Sequence, residues 1–126
     1  MVRFTSLTLL AAAALLASVP GLQAGSIKSG LQIEPGQTFE LGGGQRGGFT
    51  VTGTNTGPVA VEVLGKAGEA AAAPRATVAP GGKLKADFGP GEMALLRNTS
   101  AARTAKLKLT ITGDTAALGM GYSANP

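Results

Sequence analysis

The segment Ala105 to Thr112, AKLKLTIT, alternates apolar and polar side chains with a strict period of two. Ala105, Leu107, Leu109 and Ile111 fall on one side, and Lys106, Lys108, Thr110 and Thr112 on the other. Successive side chains of a strand point to opposite faces, so this run is satisfied as a strand with one face dry and the other wet. The same period recurs. Phe49 and Val51 alternate with Thr50 and Thr52, Val59, Val61 and Val63 with Ala60 and Glu62, and Leu84, Ala86 and Phe88 with Lys83, Lys85 and Asp87. Leu118, Met120 and Tyr122 form a last alternating trio, which places Tyr122 on an inward-looking position. Half-wet strands are the habit of antiparallel sheets.

The punctuation agrees. Pro35-Gly36, Pro80-Gly81 and Pro90-Gly91 each stand just before a strand-like run. Proline presets φ for the second position of a type II turn, and glycine accepts the positive φ of the third. Asn55-Thr56-Gly57-Pro58 marks another turn, the stretch Leu64 to Gly68 suits a hairpin, and Asn98-Thr99-Ser100 and Gly113-Asp114 bracket the strongest strand. The segment AGEAAAAPRA, Ala67 to Ala76, is confined by Gly68 and Pro74 to a loop, an edge strand or one helical turn. About eight short strands separated by glycine-rich turns predict an all-β domain, a small antiparallel β-sandwich of jelly-roll or immunoglobulin-like type. The pattern alone does not choose between those topologies.

The N-terminus reads differently. Arg3 precedes an uncharged, mostly apolar run from Phe4 to Val19; Pro20-Gly21 breaks it, and Ala24 supplies a small residue. That order is the order of a secretory signal peptide. The run is shorter than the roughly 20 apolar residues that span a bilayer, so no membrane span is expected after signal removal. Residues 1–24 are expected to be cleaved before Gly25, leaving residues 25–126 as a single β-sandwich domain in the periplasm or outside the cell. With no cysteine anywhere in the chain, such a domain folds without disulfides and rests on burial alone. Removing Arg3 leaves ten basic side chains against seven acidic ones, a mild net charge of +3.

Absent residue types narrow the chemistry. The chain has no histidine and no cysteine, which removes Ser-His-Asp and Cys-His nucleophile systems and the usual zinc sites. The carboxylates Glu34, Glu40, Glu62, Glu69, Asp87, Glu92 and Asp114 show no paired spacing. No enzyme, cofactor or metal is expected. Gly42, Gly44 and Gly47 fit the G-x-G-x-x-G spacing of a phosphate loop. That motif needs a helix after its glycines, and here the strand-like Phe49 to Thr52 follows, so the segment is expected to be a flexible hairpin connection with Arg46 at its tip. A single Arg-Gly-Gly in an exported chain does not argue for nucleic acid. Asn98-Thr99-Ser100 fits the glycosylation pattern, but a strand-ending turn explains it.

The candidate binding residues are therefore cationic: Lys83, Lys85, Lys106, Lys108 and Arg46. Lysines two apart on a strand share a face, so each pair points one way. If both strands belong to one sheet the four lysines form a patch; on opposite sheets the core separates them. The expected function is an exported, non-catalytic module that binds a macromolecule or builds an envelope or extracellular structure. An accessory domain binding an anionic glycan through its basic face is the first alternative, and a small hydrolase with a carboxylate site the second. The partner is a protein or an anionic glycan, and edge strands leave room for homo-oligomers. N-terminal sequencing of exported protein should begin at or within a few residues of Gly25; an intact Met1 in the membrane fraction would refute the signal peptide.

Overall fold

The computed structural model describes residues 24–125. The expected signal peptide, apart from Ala24, lies outside them. Nine strands are present among the described residues: β1 (Ala24–Ile33), β2 (Gln37–Gly42), β3 (Phe49–Asn55), β4 (Val61–Ala67), β5 (Ala73–Val78), β6 (Lys83–Phe88), β7 (Glu92–Asn98), β8 (Ala105–Asp114) and β9 (Met120–Ala124). They form two antiparallel sheets, one in the order β1-β8-β3-β6 and the other β5-β4-β7-β2-β9. The domain is the β-sandwich that the alternation predicted. Within each sheet β1 pairs with β8, β2 with β7, β3 with β6 and β4 with β5. Those four pairings are the rungs of one long hairpin wound into two layers, which is the jelly-roll topology.

The winding explains the turns. Only the β4–β5 connection stays within one sheet; every other connection steps from one sheet to the other. All three Pro-Gly pairs form the expected turn. Gly36, Gly81 and Gly91 have φ of 77°, 80° and 71°, and the N–H groups of Gln37, Gly82 and Glu92 donate to the carbonyls of Glu34, Ala79 and Gly89. The segment that resisted a single reading, Ala67 to Ala76, is a loop followed by edge strand β5. A register shift at Val63/Leu64 marks the β4–β5 pairing.

Inward residues from both sheets meet in one core. Ala105, Leu107, Leu109 and Ile111 of β8 pack with Ile33, Val51, Leu84 and Phe88 of their own sheet and with Leu41, Val61, Val63 and Leu96 of the other. Phe49 and Phe88 stack with centroids 5.2 Å apart. Two asparagines are buried at corners, each fully bonded. The Asn55 amide donates to the Val59 and Val78 carbonyls and its oxygen accepts the Gly57 N–H. Asn98 donates to Ile33 and Arg103 carbonyls and accepts the Ser100 N–H. A buried amide satisfied in this way fixes a corner, whereas an unpaired one would cost about 1–3 kcal/mol. Asn98 uses both amide protons inside the fold, so its sequence motif serves the turn.

Tyr122 takes the inward-looking position that the alternation predicts, at the rim of the sandwich. It lies opposite Phe39 on the inner-facing side of β9, yet is 51% exposed while Phe39 is 5% exposed. Five strands face four, so β9 sits at the margin. There the tyrosine ring tilts against Phe39 at 5.4 Å and its hydroxyl donates to the Gln32 carbonyl of β1. The opposite margin is joined by Arg75 of β5. Its guanidinium donates to the Asp87 carbonyl of β6, pairs with Glu92 of β7 and lies over the Phe88 ring. The Glu92 carboxyl is held below its ordinary range, chiefly because it accepts the Gly89 N–H at 2.9 Å; partial burial opposes this, and Arg75 adds to it. A carboxylate whose folded pKa is depressed stabilises fully above its unfolded value and loses that contribution as pH falls through the folded value. The urea midpoint should therefore decline as pH is taken from about 6 to below about 4. Glu92→Gln should be less stable at neutral pH and show a shallower decline; an identical pH profile would refute the role given to Glu92.

Candidate functional site

Strands β6 and β8 belong to the same sheet, separated by β3. Their lysines share its outer face, so the condition for a single patch is met. Register places them. One cross-strand row runs Gly30, Lys108, Thr54, Lys83, and the next runs Lys28, Thr110, Thr52, Lys85. Lys106 stands one row below Lys108, opposite Gln32. All these lysines are exposed. Lys108 and Lys83 lie two strands apart, about 10 Å between backbones at ~4.8 Å per strand. On β3, Thr54 stands between Lys108 and Lys83, Thr52 between Thr110 and Lys85, and Thr50 between Thr112 and Asp87.

Lys28 is a fifth member that the sequence reading did not single out. Its strand, β1, carries Ile27, Leu31 and Ile33 at inward positions, but Ser29 takes the inward position between Ile27 and Leu31 and breaks the apolar period. Alternation from Ile27 to Ile33 across that break is the signal that could have found it.

Carboxylates stand at the ends of this face, and none lies among the lysines. Asp87 accepts the Thr50 hydroxyl at 2.6 Å, Asp114 accepts the Gly47 N–H at 2.8 Å, and Glu34, past the other end, accepts the Thr104 hydroxyl at 3.3 Å. On the other sheet Glu62 pairs with Arg97 at 3.6 Å. Among the described residues no three acidic side chains gather in a cluster that could hold a metal ion. The middle of the lysine face is thus a positive field with neutral donors and acceptors for a floor.

Arg46 is placed elsewhere. Its neighbour Gly47 is bonded to Asp114 at the far end of β8, about 20 Å from Lys108 along the strand at ~3.3 Å per residue. The glycine loop also differs from the flexible hairpin expected. It steps between the sheets, because β2 and β3 belong to different ones. Gln45 is buried at its centre, 3% exposed, with its amide donating to the Gly89 and Glu92 carbonyls and its oxygen accepting the Gly43 N–H. The Gly91 N–H donates in turn to the Gln45 carbonyl. One polar side chain therefore pins the loop to the β6–β7 turn. No helix follows the glycines, so no helix N-terminus faces them.

The outer face also holds a hollow. Gly30 leaves a gap in the first row, walled by Lys28, Lys108, Thr54 and Thr110, with a volume of about 490 Å³. No protein-family profile, curated protein or solved structure matches the chain. The geometry of this face is what bears on its role.

The loop can be tested directly. Gly42 has a φ of 86°, and an added Cβ would lie 2.9 Å from the Gln45 oxygen and 3.0 Å from the Phe49 ring. Gly44 has open space around it. Gly42→Ala should destabilise by more than about 1 kcal/mol, and Gly44→Ala by less than about 0.5 kcal/mol, in urea unfolding. Equal effects would contradict the pinned geometry.

Proposed function

We propose that the protein is an exported, non-catalytic binding module of the envelope or extracellular space that meets an anionic macromolecule through the outer face of its four-stranded sheet. The observation that carries this reading is the gathering of Lys28, Lys83, Lys85, Lys106 and Lys108 on one sheet face with no carboxylate among them. Five of the ten basic side chains among the described residues stand together on this face. Such a field attracts polyanions over distances of the order of the ~8 Å Debye length and raises their local concentration. The missing histidine and cysteine, and carboxylates engaged with hydroxyls, amides or arginines, favour binding over catalysis.

Retention on a sulfated or carboxylated matrix should fall steeply with added salt. Changing Lys106 and Lys108 together to Glu should leave the far-ultraviolet circular dichroism unchanged, because both side chains point to water, and should shift elution to markedly lower salt. Unchanged retention at low salt with the fold preserved would show that these lysines serve only to keep the sheet soluble.

A further inference from the structure

Gly30 is unexplained by the fold. Glycine in the middle of a strand weakens it and commonly marks a bulge or a close approach by another group. Gly53, at the middle of β3, is required by packing, since an added Cβ would run into the Lys108 carbonyl; at Gly65, in the middle of β4, it would press on the ends of the Glu92 and Arg75 side chains. Gly30 has neither constraint. Its φ is not positive, and an added Cβ would meet nothing within 4 Å. Gly121 on edge strand β9 shares that freedom, but Gly30 alone opens onto the basic face. A side chain there would project into the 490 Å³ hollow between Lys28 and Lys108. The missing side chain is what makes the hollow.

We propose that this hollow seats one acidic sugar of a linear polysaccharide, whose carboxylate or sulfate pairs with Lys28 and Lys108 while its hydroxyls bond Thr54 and Thr110. The inference rests on the basic-face reading and narrows it to a ligand class. The volume lies within the ~300–1,000 Å³ range of small-ligand sites. The walls combine two ammonium groups with two hydroxyls, the complement of a ring bearing both an acid and alcohols. Thr54 and Thr52 beside it, flanked by Lys83 and Lys85 of β6, give the rest of a linear chain a hydrogen-bonding floor. The face has no aromatic ring, which single-stranded nucleic acids use for stacking. It has no apolar side chain to enter a lipid surface either; the exposed Met120 and Tyr122 belong to β9 of the other sheet.

The test compares the mature chain with Gly30→Val and Thr110→Val by titration calorimetry. The probes are oligogalacturonate, a sulfated galactan oligomer and oligoglutamate of matched length and charge. The wild type should bind at least one of the acidic sugars about tenfold or more tighter than oligoglutamate. Gly30→Val fills the hollow and leaves every lysine in place. It should abolish that preference while retention on a plain sulfonate resin stays as in the wild type. Thr110→Val, close to isosteric, should weaken the same preference and gives a second reading if Gly30→Val lowers stability. Equal affinity for sugar and glutamate oligomers in the wild type would overturn the proposal, as would a preference untouched by both substitutions. In either case the basic-face reading would stand on resin retention. Loss of retention by the wild type itself on every anionic support would bring down both.

Discussion

Strand β8 cannot slip. It lies inside its sheet between β1 and β3, and each of its side chains is committed to one side. A shift of one residue would turn Lys106 and Lys108 into the core and Leu107, Leu109 and Ile111 into water, because the side-chain period of a strand is two. Burying an unpaired ammonium costs far more than such a ladder can supply. The core and the basic face are therefore one commitment seen from two sides. The ladder of β8 with β1 extends from Ala24↔Asp114 to Ile33↔Ala105, so the register of β8 also sets where Lys28 and Gly30 stand. Through β3 it sets the distance to Lys83 and Lys85.

The corners depend on polar groups in a way that the strands do not. Asn55, Asn98 and Gln45 are each buried where the chain changes sheets, and each satisfies backbone groups that a loop would otherwise leave unpaired. With no cysteine in the chain, these amides take the place that cross-links hold in disulfide-bonded small domains. The two margins of the sandwich are closed differently: Arg75 and Glu92 on one side, and the Tyr122 hydroxyl on the other.

Much of this was legible in the sequence, and the reasons are physical. Alternation in β3, β6 and β8 reported the buried face of each because those strands bury one face only. The three Pro-Gly turns were legible because φ preferences are local. The choice of jelly roll was not, since the same turn serves a hairpin or a step between sheets. Burial of Gln45 was hidden because its partners, Gly89 and Glu92, lie more than forty residues away. Tyr122 was placed on the correct side of its strand, but no local pattern says that a strand will stand at a margin. The four lysines were legible as two pairs. Their union required knowing that β6 and β8 share a sheet, and Lys28 was masked by the serine that interrupts the apolar side of its strand.

The winding of the hairpin sets an order of assembly. Among the described residues, β1 comes first and finds its one sheet partner in β8, some eighty residues later. The local pair is β4 with β5, at the tip; every other rung must wait for more chain to emerge. Contacts so distant in sequence close slowly, because loop entropy is lost before burial rewards it. A chain appearing N-terminus first thus holds β1 open until β8 has been made. If the chain is exported as proposed, that delay suits its passage across a membrane as an extended thread.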